Sequence, residues 1–260
     1  INADSMQVYD TLHVLTARPS DSDMGGIAHH LYGSVPASAK YSTGEWLREV
    51  SRIIGDVRAR GRVPVIVGGT GLYFKVLTGG LSDMPAVSDD IRSFWRARQA
   101  EQGAPAVHAE LARLDPAAAG SLRPTDGQRI VRALEVLQAS GRSILDFQQN
   151  SAPAVIAEEH AEKIIVLPPR DVLHDRINRR FERMLDEGAV EEVRALLALG
   201  LDPAMPVMKA IGVPQIADML AGRLTREAVI EQASAATRQY AKRQMTWFRN
   251  QMDDSWERQG

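Results

Sequence analysis

The sequence predicts an α/β protein: a parallel sheet flanked by helices and interrupted by an all-helical block. Three observations carry this expectation. First, Val63-Pro64-Val65-Ile66-Val67 and Lys163-Ile164-Ile165-Val166-Leu167 are short apolar runs, closed by Gly68-Gly69-Thr70-Gly71 and by Pro168-Pro169. Runs of this length suit strands buried on both faces of a parallel sheet. Second, Trp46, Leu47, Val50, Ile53, Ile54 and Val57 recur at helical spacing between Thr43 and Arg60. That helix separates Val63–Val67 from Ile1-Asn2-Ala3-Asp4-Ser5, which reads as a strand end. Strand, helix, strand implies parallel pairing. Third, only helical signals run from Ser88 to Ser151, over Ile91–Gln102, Ala106–Leu114 and Asp126–Ser140.

The expected domains are therefore an α/β core from residues 1–87 and 152–260, and a helical insertion at 88–151. A strand end at Ile1 lies already inside a domain, which predicts that residues precede it. From Asp171 onward the pattern is mostly helical, with Gly200, Gly212 and Gly222 as expected helix stops.

Composition excludes several classes. With 44% hydrophobic and 25% charged residues in 260, the chain has an ordinary globular balance. A net charge of -2 gives no whole-molecule pull on nucleic acid, so any polyanion site must be local. The absence of cysteine excludes disulfides and thiolate metal sites, which fits the cytoplasm. No apolar run approaches the ~20 residues of a membrane helix. His29-His30 cannot converge on one ion, and His13, His108, His160 and His174 lack ligand spacing.

Four segments can carry chemistry. Asp4 follows a strand, where open α/β sheets bind ligands, and its carboxylate could accept a proton. Capping of the next turn by Asp4 or Ser5 is the commoner use of such residues. Gly68-Gly69-Thr70-Gly71 precedes a helix at Leu72 and could admit an anion to free N–H groups, or be only a tight turn. Gln128 and Arg132 share a helix face at i and i+4 and could grip phosphate or a base edge; pairing of Arg132 with Glu135 is the alternative. From Arg223 to Arg249 there are six Lys/Arg against two acids, with Arg238, Lys242 and Arg249 opposite the apolar face of Val229, Ala233, Ala236, Tyr240 and Trp247. A face of that charge can hold diphosphate or RNA backbone.

The order of these elements is more specific than any of them. Asn2-Ala3-Asp4-Ser5-Met6-Gln7-Val8-Tyr9, Ala17-Arg18-Pro19, His29-His30-Leu31, Tyr41-Ser42 and Pro64-Val65-Ile66-Val67-Gly68-Gly69-Thr70-Gly71-Leu72-Tyr73 are followed by Gln128-Arg129, Arg132-Ala133-Leu134-Glu135 and Thr237-Arg238-Gln239-Tyr240-Ala241-Lys242-Arg243-Gln244-Met245-Thr246-Trp247. From end to end this resembles the bacterial tRNA dimethylallyltransferase family.

The resemblance implies a P-loop NTPase-like core with an inserted tRNA-binding domain, in a cytoplasmic monomer. It implies transfer of a dimethylallyl group from dimethylallyl diphosphate to N6 of adenosine 37 in tRNAs reading U-initial codons, with magnesium as cofactor. By motif position Asp4 is the expected general base, and Thr70 and Arg92 contact the reacting nucleotide. Asp4, Ser5, Met6 and Gln7, with Gln128, Arg129, Ile130, Val131 and Arg132, are the expected tRNA contacts. Lys209, Arg238 and Lys242 are the expected diphosphate ligands; the resemblance identifies no metal ligands. Departures are the family's G-P-T-x-S-G-K-S/T loop, absent before Asp4, Gly212-Val213-Pro214-Gln215 in place of G-Y-R-Q, and Thr16-Ala17-Arg18-Pro19 in place of G-T-A-K-P. Competing readings are an adenylate isopentenyltransferase acting on free nucleotide, an ATP-using phosphotransferase, and a non-catalytic RNA-binding remnant.

Overall fold

The computed structural model describes residues 1–149 and 152–260. They divide into two compact units, one of Ile1–Thr78 with Ile156–Gly260, the other Gly79–Val155. The expected insertion falls within the second unit, except that Asn150 and Ser151 lie outside the described residues.

The first unit is helix-rich with little sheet, so it is α/β in its coarse outline. Its regular strands are Ile164–Val166 and Glu257–Gln259, paired in parallel. Ile1–Ala3 runs parallel to Val65–Val67 through an Asn2–Val67 bridge, with Ala3 N–H donating to Val67 C=O (2.8 Å) and Val67 N–H to Ile1 C=O (3.0 Å). On its other edge Asn2 N–H donates to His30 C=O (2.9 Å).

Burial of the first apolar run on both faces is corrected. Val63, Val65 and Val67 are 84%, 64% and 57% exposed. They alternate along the chain, so they share one face, and the described residues leave that face open. In the second run Lys163 and Ile165 are buried, while Ile164 and Val166 are exposed. The Glu257–Gln259 strand was not expected, because Glu-Arg-Gln has neither alternation nor β-preference. Its place is set by backbone pairing to a neighbour.

The helices follow the pattern more closely. Thr43–Ala59 buries Trp46, Val50, Ile53, Ile54 and Val57, and its Ser42 cap and Glu45 form a capping box. Arg226–Gln251 starts at a Thr225 cap and fully buries Val229 and Ala233. Gly200 and Gly222 do follow helix ends, but Gly212 precedes one: it is the N-cap residue of Val213–Leu220, at φ 101°. A side chain there would also strike Leu15. The core of this unit gathers Tyr9, Leu12, Phe181, Leu196, Val207 and Ile216.

The second unit packs Asp89–Gln102, Ala104–Leu114 and Gly127–Ser140 around Trp95, Val107, Leu111, Ile130, Leu134 and Val136. Ile130 is 0% exposed and Val131 4%. Replacing Ile130 with Ala should therefore destabilise the protein by about 2–5 kcal/mol, the usual range for such a cavity. Denaturant unfolding measures this; an unchanged midpoint would remove Ile130 from the core.

Candidate active site

Asp4 leaves the Ile1–Ala3 segment at the head of a turn. Its backbone is fixed by Asn2, which is fully buried and completely satisfied. Asn2 Nδ2 donates to Asp4 C=O (3.0 Å) and Leu31 C=O (2.9 Å), and its Oδ1 accepts from Asp4 N–H (2.8 Å). The indole of Trp46 donates to Asn2 C=O (2.9 Å) and stacks on Tyr73 at 4.1 Å.

The two Asp4 oxygens have different partners. Oδ1 accepts from Met6 N–H (2.8 Å) and Gln7 N–H (3.3 Å), which is the capping role. Oδ2 accepts no hydrogen bond among the described residues and lies on the Gly69 side. Capping and proton acceptance are thus compatible in one carboxylate: one oxygen sets its plane while the other stays available.

Thr70 is brought beside this turn. Its hydroxyl accepts from Ser5 N–H (3.0 Å) and lies 3.3 Å from Ser5 Oγ, while its N–H donates to Ala3 C=O (3.1 Å). The neighbouring glycines are explained by close packing. A Cβ on Gly68 would lie 2.2 Å from the carbonyl carbon of Ala3, and one on Gly71 would lie 2.3 Å from the Trp247 ring. Gln244 Nε2 donates to Gly69 C=O (2.8 Å), tying the Arg226–Gln251 helix to the loop. Gln244 stands within the quoted motif, but sequence reasoning gave it no role.

Four other residues feel the charge of Asp4. Burial raises the pKa of Tyr32, Tyr73 and Tyr240, and Asp4 raises each further. Desolvation lowers the pKa of Arg180, although its side chain keeps solvent access; Asp4 pulls it back up and Arg183 opposes that. Arg180 lines a cleft of about 410 Å³ with Leu173, Arg176, Arg179 and Arg183. Arg179 is paired with Asp175 (2.9 Å) and Arg183 with Glu187 (3.6 Å), whereas Arg176 and Arg180 have no ion pair among the described residues. Sequence reasoning missed Arg180. The i, i+4 spacing of Arg176 and Arg180 was the available signal, and it looks like an ordinary solvated helix face.

Of the expected diphosphate ligands, Lys209 ends the exposed side of a short 3-10 helix, Pro206–Lys209. Arg238 donates to Asn178 Oδ1 (2.6 Å) and Lys242 is exposed. Tyr240, expected on the apolar face, is 37% exposed.

In the second unit Arg92 pairs with Asp89 (3.5 Å) and Arg129 with Asp126 (3.4 Å). Arg132 pairs with Glu135 (3.4 Å), whose side chain is only 5% exposed and also meets Arg96 (3.7 Å). Along 128–132 the side chains of Gln128, Arg129 and Arg132 reach the surface, while those of Ile130 and Val131 are in the core.

No group of three His, Asp or Glu converges among the described residues. Among the described residues no such cluster would hold magnesium by protein ligands alone, and no step below is routed through one. No helix among the described residues is long and apolar enough to cross a membrane.

The IPP transferase family matches residues 7–251. The chain belongs to that family. This family member is 68% identical over 258 residues to the tRNA dimethylallyltransferase of Agrobacterium fabrum, covering 99% of this chain and 87% of the relative. It is 62% identical to the one from Rhizobium meliloti, covering 99% and 85%. The full-length tRNA isopentenylpyrophosphate transferase of Bacillus halodurans superposes with a TM-score of 0.66 at 33% identity, covering 99% of this chain and 79% of that one. A eukaryotic dimethylallyltransferase acting on tRNA superposes with a TM-score of 0.77 at 25% identity, covering 95% and 62%.

Proposed function

We propose that this IPP transferase moves a dimethylallyl group from dimethylallyl diphosphate to N6 of an adenosine beside the anticodon of tRNA, adenosine 37 of tRNAs reading U-initial codons. The observation that carries the chemistry is the divided Asp4 carboxylate. Its Oδ1 is held by two backbone amides and its Oδ2 is unpaired among the described residues. The N6 lone pair is delocalised into the adenine ring, so N6 is a poor nucleophile. Asp4 Oδ2 orients N6–H and takes its proton as N6 bonds to C1 of the donor and the C1–O bond breaks. General-base help of this kind contributes roughly 10²–10⁴-fold.

The electrons of the broken bond go to the diphosphate, which needs cations as its charge develops. Arg180, which feels the charge of Asp4, lines the arginine-rich cleft and has no ion pair among the described residues, is suited to that task, with Arg176, Lys209, Arg238 and Lys242 as further cations. Thr70 and Ser5, joined by hydrogen bonds, take the ribose or base edge of the same nucleotide. Arg92 is assigned to that nucleotide by motif order. The adenine must leave the loop stack to react, as bases do when enzymes modify them. The core is proposed to be of the P-loop NTPase type, and the helical unit to be the tRNA-binding insertion, in a monomeric cytoplasmic enzyme. A magnesium ion accompanying the diphosphate belongs to the same proposal. Incubation with tRNA and dimethylallyl diphosphate, followed by nucleoside mass spectrometry, tests the reaction. A product on AMP and none on tRNA would favour the adenylate enzyme.

Arg132 is proposed to meet the RNA backbone, with Glu135 holding its guanidinium. Arg132→Ala should weaken tRNA binding and lower the slope of log K against log salt by about 0.7–0.9, the share of one phosphate contact. Binding titrations at several salt concentrations measure this. A change in the donor's affinity alone would assign Arg132 to the other substrate.

A further inference from the structure

His13–Ala17 forms a single helical turn whose two ends are held by distant side chains. At its C-terminal end Arg18 N–H donates to His13 C=O and Ala17 N–H to Val14 C=O, both at 2.9 Å. Ala17 takes the left-handed conformation, φ 50°, so the turn closes as a Schellman motif. At its other end the N–H groups of His13, Val14 and Leu15 have no partner within the turn. All three donate to the carboxylate of Glu192, at 3.0, 2.7 and 3.1 Å. Glu192 lies in the helix Ala189–Ala198, far along the chain. Hydrogen bonds to a charged acceptor are the strong kind, so this contact fixes the turn against the body of the first unit.

The turn in turn holds Gln7. Gln7 Nε2 donates to Thr16 C=O (3.0 Å) and Ala17 C=O (2.9 Å). Two carbonyl partners identify that end of the amide as nitrogen. Oε1 accepts no hydrogen bond among the described residues. A free glutamine can offer either a donor or an acceptor; this one is held as an acceptor.

We propose that Glu192 is a positioning residue for tRNA recognition: through the 13–17 turn it holds Gln7 so that Oε1 meets an N–H of a nucleobase. The inference rests on the reading that Asp4–Gln7 face tRNA. Exocyclic amino and ring imino groups are the base donors that an amide oxygen accepts. Holding the amide in advance removes an ordering cost from binding.

A double-mutant cycle of Glu192→Ala and Gln7→Ala tests it, read by tRNA KM and kcat and by binding of anticodon stem-loop RNA. Glu192→Ala should raise the tRNA KM about tenfold, the loss typical of one hydrogen-bonded contact. Its kcat and donor KM should stay within about twofold of the parent, the pattern of lost uniform binding. Gln7→Ala should weaken tRNA binding similarly, and the double variant should be no weaker than the worse single, since both remove one contact. Glu192→Gln keeps an oxygen acceptor without its charge and should give an intermediate effect. If Glu192→Ala fails to fold, by thermal unfolding, the cycle is run with Glu192→Gln. Additive losses, or losses in kcat or donor KM with tRNA KM unchanged, overturn the inference alone. Unaltered tRNA binding by Gln7→Ala overturns the reading of the Asp4–Gln7 segment, and the inference falls with it.

Discussion

Asp4→Asn should reduce prenyl transfer at least about a hundredfold while leaving the fold and tRNA binding in place. The substitution is nearly isosteric. The side-chain oxygen can still accept from Met6 and Gln7 N–H, as Asp4 Oδ1 does at 2.8 and 3.3 Å, so the turn should persist. The other position becomes an amide nitrogen, which donates and cannot take a proton from N6. The loss therefore belongs in kcat, with tRNA binding nearly unchanged. Single-turnover kinetics with saturating tRNA and donor measures it directly. Turnover near the parent value would end the general-base assignment, leaving Asp4 as a cap alone.

Arg180→Ala should cost about 10²–10³-fold in the chemical step, the usual effect of removing one preorganised donor from developing charge. Donor affinity should fall as well, because a guanidinium pairs with phosphate oxygens in the ground state. Arg180→Lys should recover only part of the loss, since an ammonium lacks the planar two-pronged donor set. Stability should change little: Arg180 has no ion pair to break among the described residues, and the nearby Arg183 opposes its charged form. Donor KM and kcat at saturating tRNA are the readouts. An Arg180→Ala variant that loses tRNA affinity while retaining donor affinity and turnover would move Arg180 to the RNA side.

Asp4 and Thr70 were legible in the sequence because each sits in a local, ordered motif. The structure joins them through the Thr70–Ser5 contacts, 65 residues apart in sequence. The helices Thr43–Ala59, Asp89–Gln102, Ala104–Leu114 and Gly127–Ser140 were legible to within about two residues, since 3.6-residue periodicity is a local property. The strands were less so. An apolar run reports a tendency to be buried and does not identify the neighbour that buries it, as the exposed faces of Val63–Val67 and Ile164–Val166 demonstrate. Glu257–Gln259 fails in the opposite direction, a polar segment made into a strand by its partner. Arg180 and Glu192 were illegible for a related reason. Their proposed roles lie in the Asp4 charge that acts on Arg180 and in the hydrogen bonds that His13–Leu15 donate to Glu192, each partner more than 170 residues away in sequence. Arg132 carried two readings from spacing. Its pairing with Glu135 is present, and RNA binding is the proposed second use of the same guanidinium.

The bare backbone at Gly68 and Gly71 also bears on how the site comes apart. With no side chains between them, the Ala3 main chain rests on one end of the loop and the Trp247 ring on the other. The amide of Thr70 is hydrogen-bonded to Ala3, and Gln244 holds Gly69. Loosening any one of these contacts opens a gap that the others cannot close, because interiors lose attraction steeply with separation. The carboxylate, the threonine hydroxyl and the long C-terminal helix therefore belong to one cooperative opening unit, of the kind that amide exchange resolves. Opening of the Asp4 side should therefore accompany release of the helix, so thermal inactivation should be abrupt, without a partly competent form between.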